Sequence, residues 1–223
     1  SVYGTAIHKA IEDAHILVKK ERKLPSLKII LEIFEKELRH GRLADFEEQK
    51  QKKRGEGILK QYFGLKKEEI KEENIVEMNF AKQSVMVNGA ILTGKIDKVI
   101  KDQDGKWIVV DFKTGKGFDS FDKTKLTKYD KIKLHHYRYQ LMMYKLLVEN
   151  TRDYNSQTVK EGVLEFVEEA ITDGREQMEE NRKSKIQEIR LQFDTKEMRG
   201  ELERFKRLVV AVYEKIVNLD FPI

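Results

Sequence analysis

Trp107-Ile108-Val109-Val110-Asp111-Phe112-Lys113-Thr114 is the stretch from which the architecture can be read. Its first four residues are apolar without polar alternation, as in a strand buried on both faces, and a strand of that kind lies in the middle of a sheet. The preceding run, Ile91 to Ile100, contains Thr93-Gly94-Lys95-Ile96-Asp97 and leads into it across Asp104-Gly105, a hairpin signal. Ile75 to Phe80 and Val85 to Val87 are further β-branched runs, and Asn88-Gly89 marks another turn. Together they predict a strand meander.

Helical patterns flank this meander. Ile7, Ile11, Ala14 and Val18 recur in steps of three and four from Gly4 to about Lys20. Leu27, Ile30, Leu31, Phe34 and Leu38 repeat the pattern after Leu24-Pro25-Ser26, and a charged helix is expected over Leu43 to Phe63, weakened by Gly55 and Gly57. Downstream, Lys133 to about Asn150 reads as a helix, Val159 to Val167 and Ile186 to Phe193 as strands, and residues 168–185 as a polar loop or hairpin tip. Asp194-Thr195-Lys196-Glu197 resembles a capping box for a last helix reaching about Asn218. Helices, then strands, a helix, a strand and a closing helix fit an α/β (α+β) fold or an α/β/α sandwich.

Composition removes several classes. The 223 residues include no cysteine, so a disulfide scaffold, a Cys-ligated zinc module and an iron-sulfur cluster within this chain are excluded. No apolar run approaches the ~20 residues that cross a bilayer, and no signal-peptide pattern opens the chain. A cytoplasmic protein without a membrane partner is expected. The length suits one domain of residues 1–223, with a helical part over 1–73 and a sheet core with flanking helices over 74–223. The chain opens inside a helical pattern without an initiator Met and ends on Phe221-Pro222-Ile223, so a fragment of a longer protein is expected.

The net charge of +5 is equalled by one segment: eight basic and three acidic residues lie between Lys113 and Arg138. A polyanion-binding surface and a solvated lysine-rich loop explain that excess equally well.

Asp97 and Asp111 stand at the ends of adjacent apolar strands, where carboxylates are costly unless paired or bound to a cation. Two converging carboxylates suit Mg²⁺, which takes oxygen ligands at ~2.1 Å. Lys113 shares a side of its strand with Asp111 by the period of two. Metal, acid and ammonium together suit phosphodiester hydrolysis. An Asp-Phe-Lys at a strand end is ordinary by itself, as are His8 on the first helix and Gln140 and Tyr144 at i, i+4. Gly115-Lys116-Gly117 lacks Walker spacing, and His135-His136 lacks metal-ligand spacing.

In their order, Gly4-x-x-x-His8, Asp97, Asp111-x-Lys113-Thr114 and Gln140-x-x-x-Tyr144, these motifs resemble the RecB-like branch of the PD-(D/E)XK nuclease superfamily. Thr93 to Asp97 and Asp111 to Lys116 look most like nuclease domains at the C-terminus of UvrD/Rep-type superfamily 1 helicases. The resemblance implies a restriction-endonuclease-like α/β/α sandwich with a central mixed sheet and an N-terminal helical segment. It also implies a Mg²⁺- or Mn²⁺-dependent deoxyribonuclease, exonuclease rather than endonuclease, in DNA repair or recombination. Asp97, Asp111, the Phe112 carbonyl and His8 would hold the metal, and Lys113 would be the catalytic lysine. Gln140 and Tyr144 would shape the site and contact DNA; Glu77 is a further acid candidate, and Glu12 could orient His8. Thr114, Lys116, Lys123, Lys125, Lys128 and His136 are expected on the DNA side. The partners implied are single-stranded or unwound DNA and helicase motor domains. A non-cleaving DNA-binding or scaffolding module of the same fold is the alternative, as is a stand-alone CRISPR-associated or phage exonuclease.

Overall fold

The computed structural model describes residues 1–118, 126–154, 157–172 and 184–219. In chain order the elements are α1 (Val2–Glu21), α2 (Leu27–His40), α3 (Asp45–Lys66), a 3₁₀ turn (Lys67–Glu69), β1 (Ile75–Asn79), β2 (Val85–Val87), β3 (Ala90–Leu92), β4 (Lys95–Lys101), β5 (Trp107–Lys113), α4 (Lys128–Glu149), β6 (Val159–Thr172), β7 (Ser184–Gln192) and α5 (Lys196–Val217). The main sheet is mixed and has the order β1-β4-β5-β6-β7, while β2 and β3 form a two-stranded sheet of their own. This is the restriction-endonuclease-like α/β architecture expected from the motif order. The middle strand is β5, and its first six residues are buried.

Helix starts have local causes. The Ser1 and Ser26 hydroxyls accept hydrogen bonds from the amides of Gly4 and Ile29, at 3.2 and 3.5 Å. Thr127 caps α4 through the Asp130 amide at 3.1 Å. No side chain caps α3, but Asp45, Glu47 and Glu48 in its first turn complement the helix dipole.

Several boundaries differ from the sequence reading. The run from Ile91 to Ile100 is divided at Thr93-Gly94 between β3 and β4, which belong to different sheets. Helix α4 starts at Lys128 rather than Lys133, because Thr127 supplies the cap. Strand β6 continues to Thr172 and β7 begins at Ser184, leaving 173–183 outside the described residues. At α5 the cap is Thr195, whose hydroxyl accepts from the Met198 amide at 3.2 Å. The third helical position is therefore Met198, not Glu197, and no capping box forms.

The chain groups into two compact units, Ser1–Val76 with Phe112–Gly117 and Leu164–Ile189, and Glu77–Asp111 with Phe118–Val163 and Arg190–Ile223. In the first, Ala6, Ile7, Ala10, Ile11 and Ala14 of α1 are fully buried, as is Phe34 of α2. Each buried large side chain contributes about 1.5–3 kcal/mol of transfer free energy. The first unit also buries a polar group. The Tyr62 hydroxyl donates to Glu165 at 2.6 Å, and Lys66 Nζ lies 2.5 Å from Glu188, 2.7 Å from Glu69 and 3.6 Å from Glu165.

In the second unit β4 and β5 are an antiparallel pair with Lys98 opposite Val110 and Lys101 opposite Trp107. Asp102 closes the hairpin, its Oδ1 accepting from the amides of Asp104 and Lys106 at 2.9 and 2.8 Å. Val87 pairs with Ala90 across the predicted Asn88-Gly89 turn. Helix α4 meets α5 through an Arg138–Glu201 ion pair and the Tyr139 and Phe205 rings, 4.8 Å apart. Among the described residues no helix is long and apolar enough to cross a membrane.

Candidate active site

The β4–β5 ladder runs from Lys101 opposite Trp107 to Lys98 opposite Val110, and Asp97 and Asp111 are the next residues of the two strands. The Asp97 charge also acts on Tyr144, which donates to Asp111. Asp111 is 2% exposed. A buried carboxylate needs strong donors, and α4 provides them: Gln140 Nε2 donates to Asp111 Oδ1 at 2.7 Å, and the Tyr144 hydroxyl donates to the same oxygen at 2.6 Å. Gln140 Nε2 also donates to the Tyr144 hydroxyl at 2.9 Å. Hydrogen bonds to a charged acceptor contribute about 1.5–3 kcal/mol each, so this pair fixes the carboxylate's orientation.

The electrostatics agree with that arrangement. Burial, then the Asp111 charge and its hydrogen bond, then the Asp97 charge raise Tyr144 far above the ordinary phenol range. Tyr144 is therefore a permanent donor. Tyr137 is also raised, by burial first and then by Asp111 and Tyr129. Tyr137, Gln140 and Tyr144 stand at i, i+3 and i+7, one face of α4. The same spacing in the sequence points to Tyr137 as it does to Gln140.

The remaining residues of the motif order belong to the first unit. There the His8 ring meets the Phe112 ring edge-on at 5.8 Å, and Tyr62 packs against the same ring at 6.4 Å. The glycine of Gly4-x-x-x-His8 has a steric role: a Cβ on Gly4 would come within 2.7 Å of Thr114 Oγ1. The glycine thus lets α1 approach the Asp-x-Lys-Thr end of β5. Lys113 and Thr114 are half-buried.

Glu12 accepts from Lys9 at 3.1 Å. Glu77 is ion-paired with Lys95 and has a left-handed backbone, φ 55°. Lys116, Lys128 and His136 are exposed, whereas Lys123 and Lys125 lie outside the described residues. One group of three acids, Glu69, Glu165 and Glu188, has oxygens within 4.8 Å of one another. Lys66 sits among them, so the group is an ion-pair network. No local pattern could have revealed it, since Lys66 and Glu188 are 122 positions apart.

Two carboxylates on neighbouring strands, one oriented by an amide and a phenol, are a hard oxygen donor set suited to a divalent cation. The class defined by this site and fold is a metal-dependent nuclease. The sequence matches the PD-(D/E)XK nuclease superfamily over residues 1–223, and the chain belongs to that superfamily. Its members hydrolyse nucleic acids with divalent metal ions, typically Mg²⁺. No curated protein matches the sequence. Among solved structures, one described as the crystal structure of SSO0001 is similar, with 15% identity over 92% of this chain and 74% of that one, at a TM-score of 0.31.

Proposed function

We propose that residues 1–223 are one RecB-like DNA nuclease domain of a cytoplasmic helicase-nuclease of the UvrD/Rep type, acting in repair or recombination. Its substrate is single-stranded or unwound DNA, degraded as by an exonuclease. The observation that carries the reading is the buried Asp111 carboxylate held by Gln140 and Tyr144, whose hydroxyl also feels the Asp97 charge.

In this reading Asp97, Asp111, the Phe112 carbonyl and His8 hold Mg²⁺ or Mn²⁺, and Lys113 is the catalytic lysine. Bound there, the ion supplies Lewis acidity to the phosphate and acidifies the attacking water. Gln140 and Tyr144 keep the Asp111 carboxylate in one orientation, so it does not reorganise when DNA arrives. The Lys113 ammonium stabilises charge developing on the phosphate.

Cleavage of labelled single-stranded DNA in Mn²⁺, with and without chelator, tests the proposal. Wild-type protein is expected to cut only without chelator, and Asp111→Asn to lose at least ~10²-fold, since one positioned electrostatic group is worth about 3 kcal/mol. Undiminished cleavage by Asp111→Asn would overturn the site. Wild-type DNA binding without cleavage in either metal would establish a non-cleaving module.

A further inference from the structure

Helix α5 carries an apolar seam of which the first half is covered and the second is not. Met198, Leu202, Phe205, Val209, Val212 and Ile216 recur in steps of four, three, four, three and four, the a/d repeat by which helices pair. Met198, Leu202 and Phe205 are buried. There α5 lies against α4, with the Tyr139 and Phe205 rings 4.8 Å apart and Arg138 donating to Met198 Sδ at 3.2 Å. Beyond Phe205 the seam runs on into solvent: Val212 is 47% exposed and Ile216 53%, and Leu208, one turn before Val212, is 44% exposed.

A contiguous apolar stripe left in water marks an interaction surface, and its period selects the shape that fits it. Side chains spaced by four and three interdigitate with the ridges of another helix, whereas a strand repeats every two residues. Charge selects further. At 100° per residue Arg204 and Lys215 border the stripe on one side and Lys206 on the other, while Glu203 and Glu214 lie on the far face. Arg204 and Lys215 are exposed. A second α5 laid along the stripe, parallel or antiparallel, would set one cationic border against another. Nucleic-acid phosphates would find the cations but gain nothing from Val212 and Ile216. An acidic helix with an apolar face satisfies both features.

We propose that the second half of α5 docks an acidic amphipathic helix of a partner protein. The partner's apolar face packs on Leu208, Val212 and Ile216, and the carboxylates beside that face meet Arg204 and Lys215. The inference stands apart from the nuclease reading, since none of these residues belongs to the site around Asp97 and Asp111.

The test is fluorescence anisotropy of two labelled synthetic helical peptides titrated with the full chain. Both carry leucine at heptad positions a and d; one has glutamate and the other lysine at e and g. The acidic peptide is expected to bind at least ~10-fold more tightly, and to weaken as NaCl screens the border charges. Val212→Ser combined with Ile216→Ser should weaken it at least ~10-fold, because that apolar area is no longer removed from water. Both side chains are already exposed, so the melting temperature should stay at the wild-type value. Arg204→Glu combined with Lys215→Glu should reverse the preference in favour of the basic peptide. Equal binding of the two peptides, binding of neither, or an affinity for the acidic peptide that either double variant leaves unchanged would each overturn the proposal. A wild-type dimer in sedimentation that the Val212 and Ile216 replacements abolish would give the face to a second copy instead. Binding to phosphatidylserine vesicles, lost in the same variant, would give it to a membrane, and either result overturns the acidic helix.

Discussion

Asp111 is costly by itself: a carboxylate 2% exposed in the middle strand of a sheet, made tolerable by two donors one helical turn apart. The i, i+4 spacing made Gln140 and Tyr144 legible as a pair, and the strand pattern made Asp97 and Asp111 legible as neighbours. That Gln140 and Tyr144 converge on one oxygen of Asp111 was not legible, because it depends on how α4 lies against β5. Lys113, two residues beyond Asp111, allows a separate test at this scale. If its ammonium acts on the developing phosphate charge, Lys113→Ala should slow single-turnover cleavage at least ~10²-fold while DNA binding in Ca²⁺ changes little. Lys113→Arg should rescue poorly, because a planar guanidinium does not reproduce a compact point charge. Equal losses of cleavage and binding in Lys113→Ala would reduce it to a phosphate contact.

Among the elements, α3 shows how a weak propensity signal can be misleading. Gly55 and Gly57 lower its expected stability, yet the helix runs unbroken from Asp45 to Lys66. The two glycines differ in what surrounds them. A Cβ on Gly55 would fall within the fully buried Phe34 ring of α2, whereas one on Gly57 would meet nothing within 4 Å. Gly55→Ala is therefore expected to destabilise the protein by about 1–3 kcal/mol through overpacking. Gly57→Ala should stabilise it by about 0.5–1 kcal/mol through helix propensity. Urea denaturation midpoints of the two variants, moving in opposite directions, check this; a shift in the same direction would contradict the packing account. Element boundaries were less legible than element types, as Thr93-Gly94, Thr127 and Thr195 show. Each depends on a cap or a sheet assignment that periodicity does not encode.

For the whole molecule, buried phenols govern the alkaline limit. Burial, then the charge and hydrogen bond of Glu165, raise Tyr62 well above its ordinary value of 10.0, and Tyr144 is raised by burial and Asp111. For Lys66, burial alone would lower the ammonium, but Glu165, Glu188 and Glu69 outweigh it and raise it. Above pH 10 the unfolded chain releases phenolic protons that the folded chain keeps, so stability falls as pH rises. The contribution is complete below the unfolded value and is lost as pH climbs toward the folded ones. Melting temperatures measured from pH 8 to 11 should decline, and Tyr62→Phe should start lower but decline less steeply. A Tyr62→Phe profile parallel to wild type would exclude Tyr62 from the effect. The network around Lys66 has another consequence, for inheritance. Removing Lys66 leaves Glu165, 2% exposed, as a buried charge without its cation, and breaking such a pair costs about 3–5 kcal/mol. Replacing both with apolar residues would still leave the buried Tyr62 hydroxyl without this acceptor and Glu188 without this cation. Single-step mutational paths therefore cross a deep fitness valley, and Tyr62, Lys66, Glu165 and Glu188 are expected to change together over evolutionary time.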